Sequence, residues 1–162
     1  MFTSDKEVDL PVVYMLVGVP GSGKSTWTRI QMKKNSYLSY VSTDAYIEDW
    51  AQEQGKTYNQ VFSDLAKQAT HCMYEDVELL TRNEGSFIWD QTNINAKTRK
   101  AKLAKIPSHY KKVAVVFNTS LVDCIKRNAA RDRSIPERII VSMHESFEMP
   151  NIEEGFDKVI VY

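Results

Sequence analysis

The feature that most constrains this chain is a spacing. Gly18 and Gly23 are separated by four residues and followed at once by Lys24 and Ser25, in the run Gly18-Val-Pro-Gly-Ser-Gly-Lys-Ser-Thr26. An uninterrupted apolar run, Val12-Val-Tyr-Met-Leu-Val17, precedes it and reads as a strand buried on both faces. Helical periodicity follows to about Lys34. This is the Walker A pattern in the strand, loop and helix setting it requires. Glycines let successive N–H groups turn inward toward phosphate oxygens, and the helix that begins there adds its positive end. Gly18, Pro20, Gly21, Ser22 and Gly23, with Lys24, Ser25 and Thr26, are therefore the expected nucleotide-binding residues. Lys24 is expected on the β- and γ-phosphates, Ser25 on Mg²⁺ and Thr26 as a further phosphate contact. A tight turn alone would explain the glycines, but not Lys24 and Ser25 together.

Beyond the loop, short apolar runs alternate with helical patterns. Strands are expected at Tyr37–Val41, Ser86–Asp90, Val113–Phe117 and Asp157–Val161. Helices are expected at Ala45–Gln54, Thr57–Leu80, Ala96–Ala104 behind an Asn95 cap, Ser120–Ala130, and from near Pro136. Buried strands alternating with helices imply a five-stranded parallel sheet covered on both faces, an α/β fold. No repeat or linker divides residues 1–162, which read as one domain with a loose segment at 1–10.

Composition narrows the function classes. Lys+Arg and Asp+Glu number 21 each, so no overall field draws the chain to nucleic acid or a membrane. The zero total hides a local asymmetry. Gln91 to Val122 contains no acid but carries Lys97, Arg99, Lys100, Lys102, Lys105, Lys111 and Lys112. That segment reads as a track for a phosphate backbone or as a solvated helix face. Cys72 and Cys124 have neither disulfide-framework nor zinc spacing, and the N-terminus lacks the basic start and apolar run of a secretory signal. A cytoplasmic protein with no membrane partner is expected.

Phosphoryl transfer needs a group that handles the acceptor. Asp44 follows the second strand, where ligands gather in open α/β sheets, and is the candidate general base; capping the helix at Ala45 is the alternative reading. Asp90, in Asp90-Gln-Thr-Asn93, is a candidate to hold Mg²⁺-bound water or orient the acceptor, unless its turn is purely structural. Arg127 and Arg131 lie one helical turn apart and lead to Arg133, a candidate lid over the phosphates; the alternative is a solvated face paired with Asp123, Asp132 and Glu137. Tyr46 and Trp50 beside Asp44 read either as a base-stacking face or as core.

Taken in order, Gly-x-Pro-Gly-Ser-Gly-Lys-Ser-Thr-Trp (18–27), Ser-Thr-Asp-x-Tyr (42–46), Asp-x-Thr-Asn (90–93) and Lys-Arg-Asn-x-x-Arg (126–131) resemble the phage-type polynucleotide 5′-hydroxyl kinases of the P-loop kinase superfamily. The resemblance implies a three-layer sandwich with an arginine-bearing lid, an ATP donor with Mg²⁺, and a DNA or RNA acceptor phosphorylated at a hydroxyl, most often the 5′ end. It implies roles for Lys24 and Ser25 at ATP and Mg²⁺, Asp44 as base, Asp90 in its turn, and Arg127 and Arg131 in the lid. One position departs from the pattern: Ile47 stands where those kinases carry an arginine for the acceptor's 3′-phosphate. A hydroxylated base within DNA, or a small molecule or nucleoside, is the alternative acceptor, and an ATP-binding module without catalysis is the alternative class. No Asp-x-Asp-x-Thr module is present in the chain, so no 3′-phosphatase activity is expected.

Overall fold

In the computed structural model, residues 9–162 are described. The expected loose segment falls mostly outside them. Five strands, β1 (Val12–Val17), β2 (Ser39–Val41), β3 (Phe87–Trp89), β4 (Lys111–Val116) and β5 (Lys158–Val161), form one parallel sheet in the order β2-β3-β1-β4-β5. The expected α/β architecture is the one observed.

The alternation of side chains along β1 explains why both sheet faces are covered. Tyr14 and Leu16 point with Ile88, Val113, Val115 and Phe117 toward Trp27 of helix α1 (Lys24–Lys34). Val13, Met15 and Val17 point the other way, with Phe87 and Trp89, onto Met73 and Val77 of α3 (Tyr58–Arg82) and Leu103 of α4 (Ala96–Leu103). Helix α2 (Thr43–Glu53) rests on α3 through Ile47, Ala51, Val61 and Ala69. After β4 come α5 (Leu121–Ala129) and α6 (Glu137–Glu145), which pack together through Cys124 and Ile140.

Neighbouring strands β1 and β3 send their connections in opposite directions, one to β2 and the other to β4. Between their carboxyl ends a crevice must open, the usual ligand site of such sheets. The two loops are tied there: Gly18 N donates to Thr92 O at 2.9 Å.

The structure decides between two pairs of local alternatives. Helix α2 begins at Thr43 with Ser42 at its cap position, so Asp44 lies inside the first turn and is not the residue capping Ala45. Tyr46 and Trp50 are packing residues: their rings are 5.5 Å apart in the α2–α3 cluster, and Tyr46 Oη donates to Asp76 Oδ2 at 2.6 Å. That hydrogen bond and partial burial raise the Tyr46 phenol to about 12. Among the described residues no helix is long and apolar enough to cross a membrane.

Candidate active site

At the crevice the chain encloses a cavity of about 460 Å³. Its wall includes Pro20, Gly21, Gly23, Lys24, Ser25 and Thr26 from the glycine loop, together with Asp44, Asp90, Arg127 and Arg131. Gly18 and Ser22 lie buried behind this wall. They shape the loop from beneath, since a Cβ at Gly18 would stand 2.5 Å from Ser22 Oγ.

Glycine is required at two further points. Gly21 has φ +82° and backs onto Cys124 O, where a Cβ would come within 2.5 Å; Gly23 has φ +108° at the cap of α1. The amides of Lys24, Ser25 and Thr26 open α1 and have no carbonyl one turn back within the helix. This cradle fits a polyphosphate. Lys24 Nζ donates to Gly18 O at 2.8 Å and to Val19 O at 3.1 Å, so the ammonium sits in the loop it would share with phosphates. Burial pushes Lys24 below the ordinary lysine range, with Asp90 the chief opposing charge.

A magnesium ion also fits the donor set. The Ser25 hydroxyl and Asp90 carboxylate line one cavity. Among the described residues no group of three or more His, Cys, Asp or Glu converges as a metal cage. Mg²⁺ bound here would take its other ligands from phosphate and water, as is usual for that ion. Asp90 is 9% exposed, and Tyr40 Oη donates to its Oδ2 at 2.8 Å. Burial raises the Asp90 carboxyl, and Lys24 opposes that shift most strongly.

Asp44 has a partner on each oxygen. Tyr58 Oη donates to Oδ1 at 2.7 Å, and Arg133 Nη2 donates to Oδ2 at 3.2 Å. Arg133 also donates through Nη1 to Glu48 Oε1, and its guanidinium lies 4.4 Å from the Tyr58 ring centroid. Burial, then the bond to Asp44, raises the Tyr58 phenol. Neither Tyr58 nor Tyr40 was found from the sequence, because no fixed spacing links them to the carboxylates they serve.

The lid differs in detail from expectation. Helix α5 ends at Ala129, so Arg131 stands just past it, its N–H bonded to Asn128 O at 3.1 Å. Arg127 Nη1 reaches Gly21 O at 3.4 Å. The buried Asn128 amide bonds Ile135 at both its N–H (3.0 Å) and its carbonyl (2.7 Å), pinning the lid at its base. Asp123, Asp132 and Glu137 form no salt bridge with the lid arginines among the described residues; Arg133 reaches Asp44 and Glu48 instead.

The basic segment divides. Lys97, Lys100, Lys105 and Lys111 are exposed, whereas Arg99 and Lys102 are buried, so neither a backbone track nor a solvated face describes those two. Arg99, 0% exposed, forks onto Glu154 with two bonds of 2.7 Å and donates to Asn93 O at 2.9 Å. Lys102 Nζ donates to Asn93 Oδ1 and Gln91 Oε1 and lies 5.2 Å from the centre of Trp89. Both cations brace the Asp90–Asn93 turn, whose Asn93 has φ +47° and also donates through Nδ2 to Leu16 O at 2.8 Å. Burial lowers Lys102 to about 8.

A sequence profile for the family described as "AAA domain" matches residues 13–150. Human heterogeneous nuclear ribonucleoprotein U-like protein 2 is 26% identical over 95% of this chain and 22% of its own length. L-seryl-tRNA(Sec) kinase of Methanococcus maripaludis is 24% identical over 90% of this chain and 56% of its own length. The bifunctional polynucleotide phosphatase/kinase of Schizosaccharomyces pombe is 24% identical over 91% of this chain and 32% of its own length. The chain thus spans about a fifth to just over half of these relatives. Among solved structures, a chain of the Pnkp1/Rnl/Hen1 RNA repair complex superposes with a TM-score of 0.69 at 21% identity, over 90% of this chain and 46% of that one. The likeness is one of fold.

Proposed function

This chain belongs to the AAA-domain family, and from that premise we propose that it is an ATP-dependent kinase transferring the γ-phosphate to a hydroxyl of a nucleic acid, most readily the 5′-hydroxyl of DNA or RNA. One observation carries the reading: Asp44 lines the same cavity as the glycine-loop lysine, with arginines of the lid on that wall too. A nucleotide-binding loop needs no such carboxylate merely to hold a nucleotide. Two relatives named as kinases, one for a polynucleotide and one for seryl-tRNA, support it, as does the order of motifs, which resembles that of phage-type polynucleotide kinases.

In this reading Lys24 and the first amides of α1 hold the donor phosphates. Ser25 and Asp90 would hold Mg²⁺, which when bound neutralises charge on the phosphate oxygens. Asp44 accepts the proton of the acceptor hydroxyl as that oxygen bonds to the γ-phosphorus and the bond to the ADP oxygen breaks. ADP leaves, and the proton stays on Asp44 until it exchanges with water. Arg127 and Arg131 offset the negative charge of the phosphoryl group in transit. Catalysis is mainly positioning and electrostatics.

The test is transfer from γ-labelled ATP to 5′-hydroxyl oligonucleotides, duplexes with hydroxylated bases, nucleosides and sugars. Labelled oligonucleotide with wild type, and its loss in Asp44→Asn with ATP binding retained, is the expected result. Labelling of the small acceptors alone points to the small-molecule alternative. A second reading is a nucleotide-binding module without transfer, since one relative is named as a ribonucleoprotein and not as a kinase; ATP binding with no transfer to any acceptor would establish it.

A further inference from the structure

Lys102 carries a charge that the groups around it do not neutralise. It is 4% exposed, and what holds it is neutral: Asn93 Oδ1, Gln91 Oε1 and the face of Trp89. Arg99, on the same helix, forks onto the Glu154 carboxylate, whereas Lys102 has no carboxylate partner among the described residues. Two of its three N–H groups go to the amide oxygens, and the third meets no oxygen among the described residues. Burial lowers it to about 8, with no carboxylate opposing the shift, so at pH 7 the ammonium is charged and uncompensated. A buried charge in that condition is unfavourable, and an anion is the partner it lacks.

The same lysine lines a second cavity, of about 290 Å³, at the lower end of the ~300–1,000 Å³ of small-molecule pockets. The cavity lies between α3 and the first turn of α4, and no acidic residue stands on its wall. Two further donors face it from α4. The Thr98 hydroxyl and Asn95 Nδ2 have no partner among the described residues, although Asn95 Oδ1 accepts from Thr98 N at 3.1 Å. On the opposite wall the Thr70 hydroxyl is already engaged, donating to Ala66 O at 2.9 Å. The start of α4 is the positive end of that helix, and its one acidic contact is the exposed Glu148 at Ala96 N.

Gln91 belongs to the walls of both cavities. Its Oε1 accepts from Lys102, and its Nε2 donates to Thr43 Oγ1 at 3.2 Å. Thr43 is the first residue of α2 and precedes Asp44. An anion that draws the ammonium toward itself loosens the hold on Gln91, and the change arrives beside Asp44.

We propose that the second cavity is an effector site for a small oxyanion, a phosphate or carboxylate group, held by Lys102 with Thr98 and Asn95 and coupled through Gln91 to the start of α2. The site is distinct from the glycine loop, and its occupancy does not depend on the kinase reading.

The experiment titrates inorganic phosphate and acetate at pH 7, with sodium chloride at matched ionic strength as control. The Lys24→Ala background removes the phosphate contact of the glycine loop. Calorimetry and amide ¹⁵N–¹H spectra are recorded with no further change and with Lys102→Met or Thr98→Val added. Saturable binding of at least one of the two anions is expected, and the tighter one names the group. Lys102→Met should weaken it by about 10–100-fold, the range for hydrogen bonds to a charged group, and Thr98→Val by about 2–10-fold. Amide shifts should move at Lys102, Gln91 and Thr43 together. No binding beyond the chloride control, or equal affinity with and without both substitutions, overturns the site. Should Lys102→Met fail to fold, Thr98→Val decides alone. Shifts at Lys102 that stop short of Thr43 overturn the coupling. Loss of phosphoryl transfer in every assay would sink the kinase reading and leave this result standing.

Discussion

The two sides of the cavity are built differently. The proposed donor side is one continuous stretch, residues 18–26, built on a backbone turn with Gly21 and Gly23 at positive φ. The proposed acceptor side is gathered from α2 (Asp44, Glu48), α3 (Tyr58), the turn after β3 (Asp90) and the lid (Arg133). A backbone cradle depends on local conformation alone. A cluster of side chains depends on helix packing and on braces far behind the site, among them the Arg99–Glu154 pair and Lys102. The donor side is therefore sensitive to a few residues, and the acceptor side to many.

The largest effects should separate the two sides by kind. Lys24→Ala is expected to abolish ATP binding and transfer together. Asp44→Asn should cut transfer by about 10²–10⁴-fold while calorimetry still finds ATP bound, the range for loss of a general base. Equal loss of binding in both would erase the proposed division.

Arg99→Ala tests the brace. It strands the buried Glu154 carboxylate, and loss of one partner of such a pair costs about 3–5 kcal/mol. Urea unfolding should reveal it, and transfer should fall further than the folded fraction, because the turn that carries Asp90 loses its contact at Asn93 O. A drop below about 1 kcal/mol would mean the turn does not depend on this pair.

Lys102 supplies a pH signature. Its folded value of about 8 lies below the ordinary 10.5, so between those values the unfolded chain binds more protons and stability rises with pH. Below pH 8 the cost of the buried charge is present in full. The unfolding free energy of wild type relative to Lys102→Met should increase by about 3 kcal/mol at most from pH 8 to 10.5. A flat difference would mean that Lys102 titrates normally.

The smallest expected effect is at Tyr58. Tyr58→Phe removes one neutral-to-charged hydrogen bond to Asp44 Oδ1 and should reduce kcat by roughly 5–20-fold with the KM for ATP unchanged. A change confined to the KM for ATP would move Tyr58 to the donor side.

How far each region was legible follows from the same contrast. Val12–Val17 and the glycine loop announced strand, turn and helix through contiguous residues, and the alternation of short apolar runs with helical patterns implied the parallel sheet that is observed. Asp44, Asp90, Arg127 and Arg131 were visible because each follows or flanks an element expected near the sheet edge, and they do line one cavity. Arg99 and Lys102 were misread because a basic run looks the same whether its partners are water or a buried glutamate that lies, for Arg99, 55 residues away. Ile47 was read as the loss of a basic contact near Asp44. The side chain is in fact buried against α3, and a guanidinium reaches Asp44 from the lid.

The sequence by itself determined the glycine-rich turn and the α/β class, because both arise from neighbouring residues: backbone freedom at glycine, apolar periodicity and a helix start. Only the tertiary structure decided which arginine meets Asp44, which tyrosines hold the two carboxylates, and which cations are structural. Those contacts join residues 14 to 89 positions apart. Their geometry is set by the packing of helices and lid on the sheet, for which no local pattern of residues is a substitute.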